Sequence, residues 1–112
     1  MSAQDLEAGA VAVTVGGSRT FAGQFKVEWT PSETRGELTV RVYGGGALLD
    51  QRMFDPDNGT QQMQGDNGTY SFNGQVIAGF NSPPTSGTLI AQDLSFKGPN
   101  GSPRFNGVLG SW

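Results

Sequence analysis

Four aromatic side chains, Trp29, Tyr43, Tyr70 and Trp112, carry the most versatile chemistry in this sequence. Each joins a broad apolar face to a polar tip, so each can fill a core, stack on a flat ligand or anchor a subunit contact. Tyr43 falls in the outward register of Arg41 and Glu37 and is the aromatic expected at the surface. Trp29 alternates with Phe25 and Val27, a register that reads first as core. Trp29, Tyr43 and Tyr70 are the candidate ligand-binding residues. With Phe105 and Leu109 inward, strict alternation turns Trp112 outward beside Asn106, Val108 and Gly110. Trp112 and Val108 are therefore the candidate interface residues.

Ordinary enzyme machinery is scarce by comparison. The chain has no histidine and no cysteine. That removes the commonest general base, the Ser-His and Cys-His dyads, and the usual zinc and iron ligands. A Ser-Lys dyad would have to use Lys26 or Lys97, and no spacing singles out a serine. Neither Gly16 and Gly17 nor Gly44, Gly45 and Gly46 precede a helix whose N-terminus could receive a phosphate. Glu28 and Glu37 lie on outward faces of neighbouring strands and read as solvated carboxylates rather than a hydrolytic pair. Asp55, Asp57, Asn58 and the downstream Asp66 could offer hard oxygen ligands to calcium. Turn chemistry accounts for them more simply, because Asp and Asn bond to their own backbone and no helices flank the segment. No catalytic residue, metal ligand or cofactor is assigned.

Charge and composition narrow the partners. The net charge is −3 and the seven basic residues are scattered along the whole chain. Phosphate backbones and anionic bilayers select clustered Lys and Arg, so neither nucleic acid nor membrane is expected as a partner. The N-terminal residues carry no basic start or apolar stretch, and no apolar run approaches the length of a spanning helix. The expected location is cytoplasmic, although a processed precursor would look the same. Asn58, Asn67 and Asn100 each begin a glycosylation-type triplet that reads here as a turn.

The period of the pattern decides the fold class. Residues 1–10 allow a short helix or arm at most. From Val11, Val13 and Val15 onward the period is two. Phe25, Val27 and Trp29 alternate with Lys26 and Glu28 up to Pro31, and Leu38, Val40 and Val42 alternate with Thr39 and Arg41. A weaker strand covers 47–55, and a polar stretch at 61–64 leads to the Asn67-Gly68 hairpin signal. Tyr70, Phe72, Val76, Ala78 and Phe80 on one inward face, then Ile90, Leu94 and Phe96, then 105–112 complete the set. Residues 1–112 thus predict one all-β domain of seven or eight antiparallel strands. An up-and-down barrel is the favoured closure and a two-sheet β-sandwich the alternative. A Phe-x-Gly echo at Phe21, Phe72 and Phe105 suggests strands whose glycines let another backbone approach.

The segment from Gly101 through Phe105 and Gly107 to Gly110 resembles the Gly-x-x-x-aromatic-x-Gly-x-x-Gly stretch late in dirigent-like and allene-oxide-cyclase-like barrels of the lipocalin-like group. The resemblance covers these ten residues. It implies a small barrel and carries no activity across.

Three functions fit this inventory. The first is a non-catalytic binding module for a small apolar ligand or a carbohydrate. The second is a structural or assembly subunit of a homo-oligomer. The third is a barrel enzyme that shapes a pocket for cyclisation or isomerisation. The reading of the acidic segment has its own check. Millimolar calcium or magnesium is expected to leave the Tm unchanged, since a ligand that binds only the native state stabilises it once its concentration passes Kd. A rise of several degrees, abolished by Asp57→Ala, would instead make the segment a cation site.

Overall fold

The two-residue period is realised as strands in a computed structural model that describes residues 16–32, 34–81 and 84–112. The helix or arm expected over 1–10 and the strand expected at Val11, Val13 and Val15 lie outside the described residues. Eight strands follow: β1 (Gly17–Phe21), β2 (Phe25–Ser32), β3 (Glu37–Gly44), β4 (Ala47–Phe54), β5 (Thr60–Asp66), β6 (Ser71–Phe80), β7 (Gly87–Lys97) and β8 (Arg104–Ser111). They form two four-stranded antiparallel sheets in the orders β1-β2-β3-β4 and β5-β6-β7-β8. Among the described residues no helix is long and apolar enough to cross a membrane.

A closed barrel would require ladders from β4 to β5 and from β8 to β1, and among the described residues neither forms. Side chains stand in those seams instead. The Gln61 side-chain amide donates to the Met53 carbonyl at 2.7 Å, and the Gln64 backbone N–H donates to the Asp50 carboxylate at 3.1 Å. Across the other seam the Arg19 guanidinium donates to the Val108 carbonyl at 3.4 Å and lies 4.4 Å from the Phe105 ring centroid. A group standing between two edges satisfies their backbone while keeping them beyond ladder distance. The architecture present is the two-sheet alternative rather than the favoured barrel.

The inward faces meet in one core. Phe25, Val27, Trp29, Val40, Val42, Phe72 and Val76 are buried as their alternation predicts, joined by Leu38, Phe54, Met63, Leu89 and Leu94. Phe96 of β7 sits at the crossing point. Its ring lies 4.9 Å from Phe21 and 4.8 Å from Phe25 of the first sheet, and 6.2 Å from Phe72 of its own. Such aromatic pairs contribute about 0.5–1.5 kcal/mol each beyond the area they bury.

Simple alternation fails at bulges. In β8, Leu89 pairs with Gly110 while Ile90 pairs with Val108, so the register slips by one residue at Leu109. Parity flips there, as an extra residue on one strand requires. Gly110 therefore faces the core, where a Cβ would run into the Trp29 ring, and Trp112 follows it inward instead of sharing the outward face of Val108. A second bulge at Gln92 and Asp93 puts Ile90 opposite Ile77 on the outer face, out of step with Leu94 and Phe96. The polar stretch at 61–64 proves to be most of β5, which pairs along β6 while burying Met63 alone. Nor does Pro31 stop β2: it still pairs with Leu38, beyond the point where β1 begins opposite Trp29. Of the Phe-x-Gly echoes, the first is a hairpin turn, and only the second and third lie in strands.

Chemical denaturation tests this register. Phe25→Ala is expected to cost about 3–5 kcal/mol and Thr30→Ala on the outer face less than about 0.5. Gly110→Ala should fall with the core truncations, because the new methyl must displace a packed indole. A near-neutral Gly110→Ala would show that the β8 bulge is wrongly placed.

Candidate functional site

In a meander, successive turns alternate between the two ends of the sheets. The turns at 22–24, 45–46, 67–70 and 98–103 consequently gather at one end. The gathering is physical as well as topological: the Gly45 N–H donates to the Gln24 carbonyl at 2.8 Å. Here the chain forms an open concavity of about 620 Å3, lined by Thr20, Gln24, Lys26, Tyr43, Tyr70 and Asn100 among others.

Each aromatic is fixed by its local sequence. Asn67 ties down Tyr70, accepting its N–H at 2.8 Å on the side-chain oxygen and donating its own N–H to the Tyr70 carbonyl at 3.0 Å. The Tyr70 ring meets Phe25 edge-on at 5.6 Å and lies against the Gly44–Gly45 backbone. Gly45 is required on two counts. Its φ of 59° suits the tight turn, and a Cβ there would strike the Tyr70 ring. Tyr43 reaches the same concavity from the outer face of β3. Lys26 Nζ lies 4.8 Å from its ring centroid, a cation–π distance, and its hydroxyl donates to Glu28 Oε1 at 3.3 Å. Glu28 is also within 3.8 Å of both Lys26 and Arg41, so the carboxylate belongs to a surface ion network.

Polar groups complete the lining. Both atoms of the Gln24 side-chain amide are buried without a hydrogen-bond partner among the described residues, at the junction of the β1–β2 and β7–β8 turns. Burial raises the Tyr43 pKa above its ordinary value, and the neighbouring Glu28 carboxylate raises it further, with Arg41 opposing. The described residues of this arrangement offer two aromatic faces, one cation and amide edges, with the Tyr43 hydroxyl tied to the Glu28 carboxylate.

The other sequence candidates are distributed elsewhere. Trp29 is 4% exposed, held between Gly17 and Gly110, and takes no part in the concavity; its indole N–H is buried without a partner among the described residues. Trp112 occupies the opposite end of the sandwich, where its indole N–H donates to the Pro84 carbonyl at 3.0 Å and its ring packs 6.0 Å from Phe80. It is thus absorbed by the domain's own seam, while Val108 stands 52% exposed. Asp55 accepts the Asp57 N–H on its side chain and the Asn58 N–H on its carbonyl, both at 2.9 Å, the geometry of a self-bonded turn. Among the described residues no group of three or more acidic side chains converges on a metal-sized site. Glu37 pairs with Arg35 at 3.2 Å, well away from Glu28.

Sequence reading found the two tyrosines but missed Gln24, Lys26 and Asn100. Lys26 was legible, since it lies on the same face as Tyr43 once β2 and β3 pair. Gln24 and Asn100 sit in turns and become neighbours only through the meander. An ultraviolet titration checks the electrostatics. Tyr43 should ionise above its ordinary value, and Glu28→Gln should lower it, because the carboxylate raises it both by charge and by hydrogen bond on top of burial. The native state favours the protonated phenol, so its contribution to stability is present below the ordinary tyrosine pKa and lost as pH rises through the folded value. A Tyr43 titration that Glu28→Gln leaves unmoved would contradict this environment. Comparison of the chain with family models, with curated proteins and with solved structures gives no match.

Proposed function

We propose that this protein is a non-catalytic binding module that takes a carbohydrate at its hairpin end. The observation that carries the reading is the convergence of Tyr43 and Tyr70 on one open concavity edged by Lys26, Gln24 and Asn100. A pyranose ring presents an apolar C–H face and a rim of hydroxyls. Tyrosine rings suit the face, and amides and an ammonium suit the rim. A small apolar ligand held between the sheets is less well supported, since Phe25, Phe96, Leu38, Leu94 and their neighbours already fill that space. A pocket enzyme for cyclisation or isomerisation meets the same objection.

Screening against a broad set of neutral and acidic oligosaccharides, followed by calorimetric titration of the best binder, tests the reading. Tyr43→Ala should weaken binding at least tenfold while leaving the fold intact. Tyr70→Phe should retain most affinity because the ring is kept. Absence of any binder, or a binder indifferent to Tyr43→Ala and to Gln24→Ala, would overturn it.

A further inference from the structure

The outer face of the second sheet carries a pattern that the hairpin end does not use. Strand pairing sets Asp66, Ser71 and Lys97 in one row across β5, β6 and β7, and Gln64, Asn73 and Ser95 in the next. A third row holds Gln62, Gln75 and Gln92. Neighbouring strands stand roughly 5 Å apart and alternate residues roughly 7 Å apart, so the rows form a lattice of amides and hydroxyls, interrupted on β7 by the bulge between Ser95 and Gln92. In the next row Thr60 on β5 is followed by Ile77, Ile90 and, on β8, Val108, so the polar pattern gives way to apolar residues from β6 onward.

Two properties make the lattice more than a wet surface. Its side chains are exposed or half-buried, and among the described residues only Asp66 is engaged, accepting the Gly68 N–H at 2.7 Å. It is also hollow. A depression of about 540 Å3 covers the first two rows and another of about 260 Å3 the third; Asn73 lines both, so they adjoin along β6 and are together called the trough. The bulge at Asp93, where φ is 52° and the N–H is taken up by the Asn106 side chain at 2.7 Å, bends β7 beneath it.

We infer that this trough is a second binding face, and that its occupant is an extended, neutral, hydroxyl-rich polymer, a polysaccharide chain. Amides and hydroxyls both donate and accept, as a ligand whose every hydroxyl does the same requires. Asp66 and Asp93 offset Lys97 and Arg104, the last continuing the second row on β8, and this balance disfavours a polyanion. A protein partner would need an apolar or aromatic anchor at the centre of its contact, and the three polar rows hold none, Ile77, Ile90 and Val108 lying at their margin. The ligand class is that of the hairpin-end reading, but none of the residues is shared.

Affinity electrophoresis through gels containing soluble xylan, hydroxyethyl cellulose, mixed-linkage β-glucan or amylopectin reads polymer binding directly. At least one of these should retard the wild-type protein. The triple variant Gln64→Ala, Asn73→Ala, Gln75→Ala should lose at least tenfold in affinity for it, while Tyr43→Ala should still be retarded. Side-chain amide resonances of Gln62, Asn73, Gln75 and Gln92 in the labelled wild type should shift on adding a hexasaccharide of the same polymer, a readout that survives any misfolding of the triple variant. Retardation lost with Tyr43→Ala, with those amide resonances unmoved, would remove the trough and leave the hairpin end standing. No retardation and no shift by any polymer would overturn the inference outright.

Discussion

Two sheets without a disulfide or a closing ladder stay together through what meets between them, and that meeting is centred on Phe96. Its ring contacts Phe21 and Phe25 from one sheet and Phe72 from the other, and Phe21 continues the contact to Phe105 of β8 at 5.3 Å. Aromatic rings suit this task because each removes a large area from water with few rotatable bonds to fix. The aliphatic residues around them, Val27, Val40, Leu38, Leu89 and Leu94, then fill the remaining volume to the density a core demands.

From that weld follows the freedom of the rest of the molecule. The edge strands need not close on one another, so Arg19, Gln61 and Asp50 can satisfy exposed backbone groups and blunt edges that would otherwise pair with other chains. At the hairpin end Tyr43 faces the concavity from the outer side of β3, while Tyr70 lines it with its ring packed on Phe25 at the edge of the core. The outer face of β5–β7 is equally released from packing and carries polar groups that the fold itself does not consume.

How much of this was legible in the sequence depends on the residue. The inward faces of β2, β3 and β6 were, because a period of two over clear apolar runs admits only one register. The end of β8 was not: the register slip at Leu109 reverses the facing of Gly110 and Trp112, and a bulge has no signature in an alternation it interrupts. β5 was obscured by its composition, since a strand exposed along most of its length needs only Met63 inside. Tyr43 was readable as exposed from the parity it shares with Arg41. Its meeting with Tyr70, Gln24 and Asn100 was not, because residues in separate turns are brought together by the order of the sheets, and the same pattern had suggested a barrel. The lattice of Gln, Asn and Ser was visible as polar alternation strand by strand, yet only pairing shows that the rows align.

Native-state hydrogen exchange of the wild-type protein tests the inter-sheet weld most directly. If Phe96 and its partners join the sheets into one cooperative unit, the slowest amides of β2 and β3 and those of β6 and β7 should exchange with the same opening free energy and respond in parallel to low concentrations of denaturant. Two separate opening free energies, one for each sheet, would contradict the account.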